Sequence, residues 1–314
     1  MIGGTIRQAI QSIVRNDGAM KAMLADYSGE PAFFYSKSPP DSRPGWTGAK
    51  YPRVDFVVDM RQDPERKSAG SLWINIFVTS QCIPIGDIDP ERAIEERLID
   101  LLSGTFYSDN ESGTFCTEWE RSDSVLWETQ NGETHPEVYG LRTRFEIMEF
   151  PPQLTTDPDP IQGLNRWIKR RFPEMAAIAY DNLPEVFRPI DTAPAIYWRF
   201  SGTLTTDRQS YAVTWYNGTF YGHILAESVM ERNRWIKAIT ETMQLAGEVI
   251  LPDDSPMFIK QINIRHGADP LREGQIELTG QYGVLAQHRK ERAGYKLMHP
   301  YVNKGIKEEY TWKK

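Results

Sequence analysis

Few residues of this chain have the types and spacing that chemistry needs. Its histidines are His135, His223, His266, His288 and His299, and no two are spaced to ligate one metal from a single element. Neither a CxxC nor an HExxH occurs, so scattered surface or half-buried imidazoles are the plainer reading. Cys82 and Cys116 lie far apart in strand-like contexts. Two buried, reduced thiols of a cytosolic protein are favoured over a disulfide. There is no G-x-S-x-G elbow, P-loop or dinucleotide fingerprint. The carboxylate pairs Asp253-Asp254 and Asp157/Asp159 stand beside Pro and Ser, where they form turns and caps. As a general acid and base they lack a partner His or Lys at a readable spacing. Asn217-Gly218 reads as a type I′ turn. The expectation is a protein without catalysis, metal or cofactor.

What remains is chemistry of contact. Residues 63–70 (DPERKSAG) form a charged turn, and Asp63, Glu65, Arg66 and Lys67 are candidate interface residues at its tip. Trp46, in the Pro-rich stretch 28–52, is another. Residues 287–314 hold eight Lys/Arg and three Glu, net +5, which leaves 28 basic and 40 acidic side chains elsewhere, net −12. In this arm Arg289, Lys290 and Arg292 alternate with aromatic anchors, Tyr295, Tyr301, Tyr310 and Trp312. Such interleaving suits protein docking and also resembles stacking platforms for single strands; docking is favoured. An acidic body argues against binding through phosphate neutralisation and suits a surface that DNA passes without sticking.

These residues must be held by ordinary soluble domains. A chain of 314 residues, 40% apolar and 25% charged, fits two domains of about 150 residues. No apolar run approaches the roughly 20 residues of a membrane span, and the N-terminal segment is amphipathic rather than a signal peptide. Residues 5–14 place Ile6, Ala9, Ile10, Ile13 and Val14 on one helical stripe, broken at Asn16-Asp17-Gly18, with a further turn or two to Leu24. Residues 28–52 read as an irregular crossover. Strands are expected at 53–60 and 71–80, a helix from Asp89-Pro90 with Ile94, Leu98, Leu101 and Leu102 inward, and strands near 114–120, 124–128 and 138–149. Residues 151–160 (PPQLTTDPDP) are the linker candidate.

The second stretch repeats this order. Asp159-Pro160 caps a helix with Leu164, Trp167, Ile168 and Phe172 on one face. Strands are expected at 195–205, 210–217 and 219–226. Ser228 with Glu231 makes a capping box for a helix burying Trp235, Ile236, Ile239 and Met243, and Gly247 ends it. A closing hairpin follows at 257–265 and 274–285. Val54, Phe56 and Val58 alternate after Pro52, as Ile196, Trp198 and Phe200 do after Pro194, a shift of 142 (194 minus 52). GTFYSDNESGTF from Gly104 faces GEVILPDDSPMF from Gly247 without a gap, a shift of 143 (247 minus 104). Asp89 and Ser228 open corresponding helices at a shift of 139 (228 minus 89), so a near-constant period with small insertions marks a repeated unit. The expected fold is α+β, two tandem small domains at 1–152 and 153–286. Each is a mainly antiparallel sheet with helices packed on one face, and an arm follows at 287–314.

This pattern resembles the tail-terminator, or tail-completion and neck, proteins of tailed bacteriophages. The first copy (TIRQAIQSIV, YPRVDFVVDM, LWINIFVTS, DPERAIEERLIDLL) resembles the tail-completion type, and the second (DPIQGLNRWIKRRFP, APAIYWRFSGTL, ERNRWIKAI) the neck-terminator type. The resemblance covers residues 1–286 and rests on element order rather than an invariant motif. It implies a virion protein, assembled in the host cytoplasm, that forms a homo-oligomeric ring, commonly a hexamer, on the end of the tail tube. Its implied partners are the tail tube protein, the head–tail connector or neck proteins and, further out, the tail sheath. DNA passes through the lumen without specific binding, and no membrane is involved. Two copies per chain depart from the family; six chains with distinct domain roles are preferred to three chains in a pseudo-hexamer. The alternatives are a baseplate or sheath-attachment component, a nucleic-acid-binding module using the basic arm, and an enzyme whose site is assembled from distant positions.

Overall fold

A computed structural model of the chain describes residues 2–61, 69–109, 113–127, 138–210 and 212–285. The first helices are α1 (Ile2–Asn16) and α2 (Gly18–Met23). Asp17 separates them and caps α2, its Oδ1 accepting the Met20 N–H at 2.9 Å. The crossover is less irregular than its proline content suggests. It holds the short strands β1 (Asp26–Tyr27), β2 (Glu30–Pro31), β3 (Phe33–Tyr35) and β4 (Trp46–Thr47). Strands β5 (Arg53–Arg61) and β6 (Ala69–Thr79) follow, then α3 (Pro90–Leu102). Asp89 holds the N-cap position of α3, but its side chain makes no capping bond; Pro90 alone fixes the start.

Beyond α3 come β7 (Thr105–Asp109), β8 (Gly113–Trp127) and β9 (Val138–Phe150). Two corrections arise here. β7 was not expected from sequence. The strands expected at 114–120 and 124–128 are one, β8, whose register shifts between Trp119 and Arg121. A bulge absorbs the extra residue without ending the strand, so the polar run ERSDS imitates a turn.

The second stretch contains α4 (Pro160–Arg171), β10 (Ala176–Ala177), β11 (Val186–Phe187), β12 (Ala195–Gln209), β13 (Val213–Leu225), α5 (Val229–Ala246), β14 (Glu248–Ile250), β15 (Pro256–Ile264) and β16 (Ile276–Leu285). Asp159 caps α4 by accepting the Ile161 N–H at 2.9 Å. Ser228 caps α5 by accepting the Glu231 N–H, and its own N–H donates to Asp191. A third correction concerns Asn217-Gly218, which is no turn. It lies mid-strand in β13, facing Gln281 and Gly280 of β16. The glycine is needed for space: a Cβ there would meet Phe220 Cζ at 2.9 Å and Leu204 Cδ2 at 3.1 Å.

The fold is α+β, in antiparallel-rich sheets. Beside the small crossover sheet β2-β1-β4, the described strands form one sheet of order β11-β7-β8-β9-β6-β5-β3 and one of order β10-β12-β13-β16-β15-β14. With β11 set aside, the two orders are the same. The first strand of each hairpin takes a short parallel neighbour, β3 on β5 and β10 on β12. The last strand pairs antiparallel with the second, β9 with β6 and β16 with β13. The edge strand follows the middle helix in both, and each helix ends at a glycine of φ +70°, Gly104 and Gly247.

The chain divides into two compact units. One holds the residues up to Gln153 with Ile168–Tyr197 and Ile224–Asn233; the other holds Leu154–Trp167, Trp198–His223 and the described residues from Arg234 onward. The segment between α4 and β12 goes with the first sheet because it supplies β11 to it. In the first unit Ile6, Ile10 and Val14 of α1 and Ile94, Leu98 and Leu102 of α3 form one core with Val54, Phe56, Leu72, Ile74, Ile76, Phe145 and Ile147. In the second, Leu164, Ile236, Ile239, Met243, Val249, Met257, Leu278 and Tyr282 are buried. No described helix is long and apolar enough to cross a membrane.

Candidate docking interface

The period of two along β5 builds the first part of the interface. Val54 and Phe56 enter the core, so Arg53 and Asp55 project to the opposite face. There they hold the crossover down. The Arg53 guanidinium donates to Asp41 Oδ1 at 2.7 Å and to the Tyr51 hydroxyl at 2.9 Å. It lies 4.4 Å from the Tyr51 ring centroid, 5.6 Å from that of Trp46 and 5.9 Å from that of Phe77. A guanidinium among aromatic faces gains cation–π attraction while its ion pair satisfies the charge. Burial pushes the Tyr51 hydroxyl above its usual range.

Asp55 is buried and accepts a short hydrogen bond from Ser38 Oγ. Burial pushes its carboxyl above the usual carboxylate range, outweighing the Ser38 hydrogen bonds and the Arg53 charge. The folded chain therefore takes up this proton more readily than the unfolded chain. The contribution to stability is present below the unfolded pKa of about 3.9 and is lost as pH rises through the folded value. Asp55→Asn keeps an acceptor for Ser38 and removes the buried charge. Thermal melts should show a higher midpoint than wild type at pH 7 and no gain near pH 3. A lower midpoint at pH 7 would mean that the ionised carboxylate is needed.

Trp46, at the far end of the crossover, is half-buried. Its Nε1–H donates to the Pro40 carbonyl at 3.3 Å, and its ring meets Tyr27 and Phe34 edge-on at 5.0 and 6.0 Å. Arg43, Pro44 and Thr47 beside it are exposed. Trp46 is the one sequence-selected interface residue that the described residues include. Asp63, Glu65, Arg66 and Lys67, and Arg289, Lys290, Arg292, Tyr295, Tyr301, Tyr310 and Trp312, lie outside them.

The second part was missed by sequence reasoning. Strand β11 adds to the free side of β7, pairing Val186 with Tyr107 and Phe187 with Phe106. Phe187 stacks on Phe106 at 5.1 Å, and Phe106 and Tyr197 both pack on Phe150. Arg188 Nη1 donates to the Asp100 carbonyl at 2.6 Å and Nη2 to the Ser103 carbonyl at 2.8 Å. The cation thus satisfies orphan carbonyls at the negative end of the α3 dipole. The available signal was an Arg-Pro pair in each Pro-rich crossover, Arg43-Pro44 and Arg188-Pro189.

Several residues considered for chemistry make structural contacts. His223 is buried, its Nδ1 2.9 Å from the Pro270 carbonyl and its Nε2 3.4 Å from Arg199 Nε. With Arg199 Nε donating to Nε2, Nδ1 is left as the donor to the Pro270 carbonyl. His266 is exposed, and His135, His288 and His299 lie outside the described residues. Cys82 and Cys116 are free thiols, and burial raises Cys116 well above the usual thiol range, which leaves it unreactive. Asp253 accepts from the Ser255 N–H and hydroxyl, as a turn former does. Among the described residues no three His, Cys, Asp or Glu side chains gather to hold a metal. The arrangement shows two kinds of contact, strand addition at the edge of β7 and an arginine closing the end of α3.

No protein-family model matches this chain, and no curated protein or solved structure is significantly similar to it.

Proposed function

We propose that this chain is a non-catalytic structural protein of a tailed-phage virion that caps the end of the tail tube as a ring. In this reading it joins the tube to the neck connector, stops tube growth and lets DNA through its lumen. The observation that carries it is the repeated topology: two sheets of one strand order, each with a short parallel neighbour and a glycine-stopped helix before its edge strand. A unit repeated along a chain suits repetition around a ring, where heterologous contacts close when the rotation allows. The acidic balance of residues 1–286 supports a lumen that does not retain DNA. The strand addition of β11 to β7 supplies a contact type that can recur between subunits.

The test is the native mass of the purified chain by light scattering, with negative-stain imaging. A ring of about six chains with a central pore is the expected result. A mass of three chains would replace the hexamer by a pseudo-hexamer. A monomer that also fails to cap purified tail tubes would overturn the reading.

A further inference from the structure

We propose that the outer face of β14–β15, with the end of α5, receives the crossover of a second copy of this chain, residues 43–47, in a head-to-tail contact. The inference rests on the ring reading above and names its interface.

The two sheets differ at one equivalent place. In the first, Tyr107 and Phe115 pair across β7–β8 and face the helices. The next pair, Phe106 and Cys116, faces the other way, yet these residues are only 1% and 0% exposed. Phe106 is covered by the crossover that precedes β12, through Phe187, while Arg188 closes the end of α3. In the second sheet, Val249 and Met257 pair across β14–β15 and are fully buried. The next pair, Glu248 and Phe258, is less covered: Phe258 stacks on Trp215 at 6.4 Å yet stays 37% exposed, and its neighbour Ile250 is 36% exposed. The last turn of α5 is open as well, with Leu245 89% exposed. Apolar side chains so exposed at this end of the sheet mark an unfilled contact.

The equivalent crossover is the one that precedes β5. It carries the matching Arg-Pro pair, Arg43-Pro44, with Arg43 exposed, and Trp46 and Thr47 stand on β4 at the edge of their small sheet. In a second copy, Arg43 takes the role of Arg188 at the α5 carbonyls and meets Glu248. Trp46 covers Ile250 and Phe258. Glu248 on the open edge discourages unspecific strand pairing and selects a basic partner. The contact joins different surfaces of identical chains, so it propagates around a ring.

Charge reversal tests it with the full chain. Arg43→Glu should raise the dissociation constant of the assembly roughly tenfold to a hundredfold, read by native mass and analytical ultracentrifugation. Arg43→Glu combined with Glu248→Arg should restore assembly. Both positions are exposed, and an unchanged melting midpoint shows that the fold is intact. As a second measurement, Thr47→Cys and Glu248→Cys chains mixed under oxidation should give a hetero-disulfide dimer, identified by mass. A ring that survives Arg43→Glu and gives no mixed disulfide overturns this contact and leaves the capping reading standing. A chain that stays monomeric at every concentration also overturns the contact; capping of tail tubes then decides the wider reading separately.

Discussion

Replacing Gly140 by alanine is expected to unfold the first sheet. Gly140 lies in β9, flanked by Phe77 of β6 and Val125 of β8. Its φ is +153°, and a Cβ there would sit 1.9 Å from the Ile76 carbonyl oxygen and 2.9 Å from its carbon. The obstacle is backbone, so no rotamer change relieves it. The β6–β9 ladder must open, and with it the packing of Ile74, Ile76, Leu141 and Phe145. The cost is of the exceptional kind, about 4 kcal/mol or more, a large share of the margin of a small domain. Urea denaturation should show a collapsed midpoint or no soluble protein. Gly267→Ala, where nothing lies within 4 Å of the added carbon, is the control. Wild-type stability of Gly140→Ala would mean that the β6–β9 register is wrong.

The second large effect is expected at Trp198, 1% exposed in β12. Its ring fills the space left by Gly222, where a Cβ would come within 2.9 Å of Trp198 Cζ3. Trp198→Ala should therefore cost about 3–5 kcal/mol, the transfer term plus a cavity. Trp198→Phe should cost less than Trp198→Ala. The reason is that Trp198 Nε1 is buried without a hydrogen-bond partner, so the phenyl ring loses volume but also removes an unsatisfied donor. Equal destabilisation by the two substitutions would show that the indole nitrogen has a partner. Both positions lie away from the surface assigned to assembly, so changes of stability and changes of ring formation are separable by experiment.

The sequence by itself determined what depends on near neighbours. The stripe from Ile6 to Val14, the stripe from Ile94 to Leu102 and the cap at Asp159 are legible because helix periodicity and capping act over three or four residues. Gly104 and Gly247 stop their helices for an equally local reason, the left-handed backbone that a glycine adopts without penalty. The correspondence of the two stretches was readable too, because it lies in the order and spacing of such local signals.

Tertiary structure decided the rest, because strand pairing joins residues far apart in the chain. Asn217-Gly218 has the chemistry of a turn, but close packing against Phe220 and Leu204 uses its glycine for space and keeps β13 straight through it. Strands β7 and β14 are too short to carry a periodic signal. Phe187 and Arg188 gain a role only once β11 lies on β7, with Phe187 opposite Phe106, 81 residues away by numbering (187 minus 106). That position depends on a strand edge and a helix end left open by the first sheet, which no local pattern in residues 172–194 describes. The same holds for the openness of Phe258 and Leu245: their types mark them as apolar, and only the arrangement of the second sheet leaves them uncovered. Local sequence fixes the helices and the apolar face of the longer elements, whereas short edge strands and the partner of each face depend on the summed packing of distant segments.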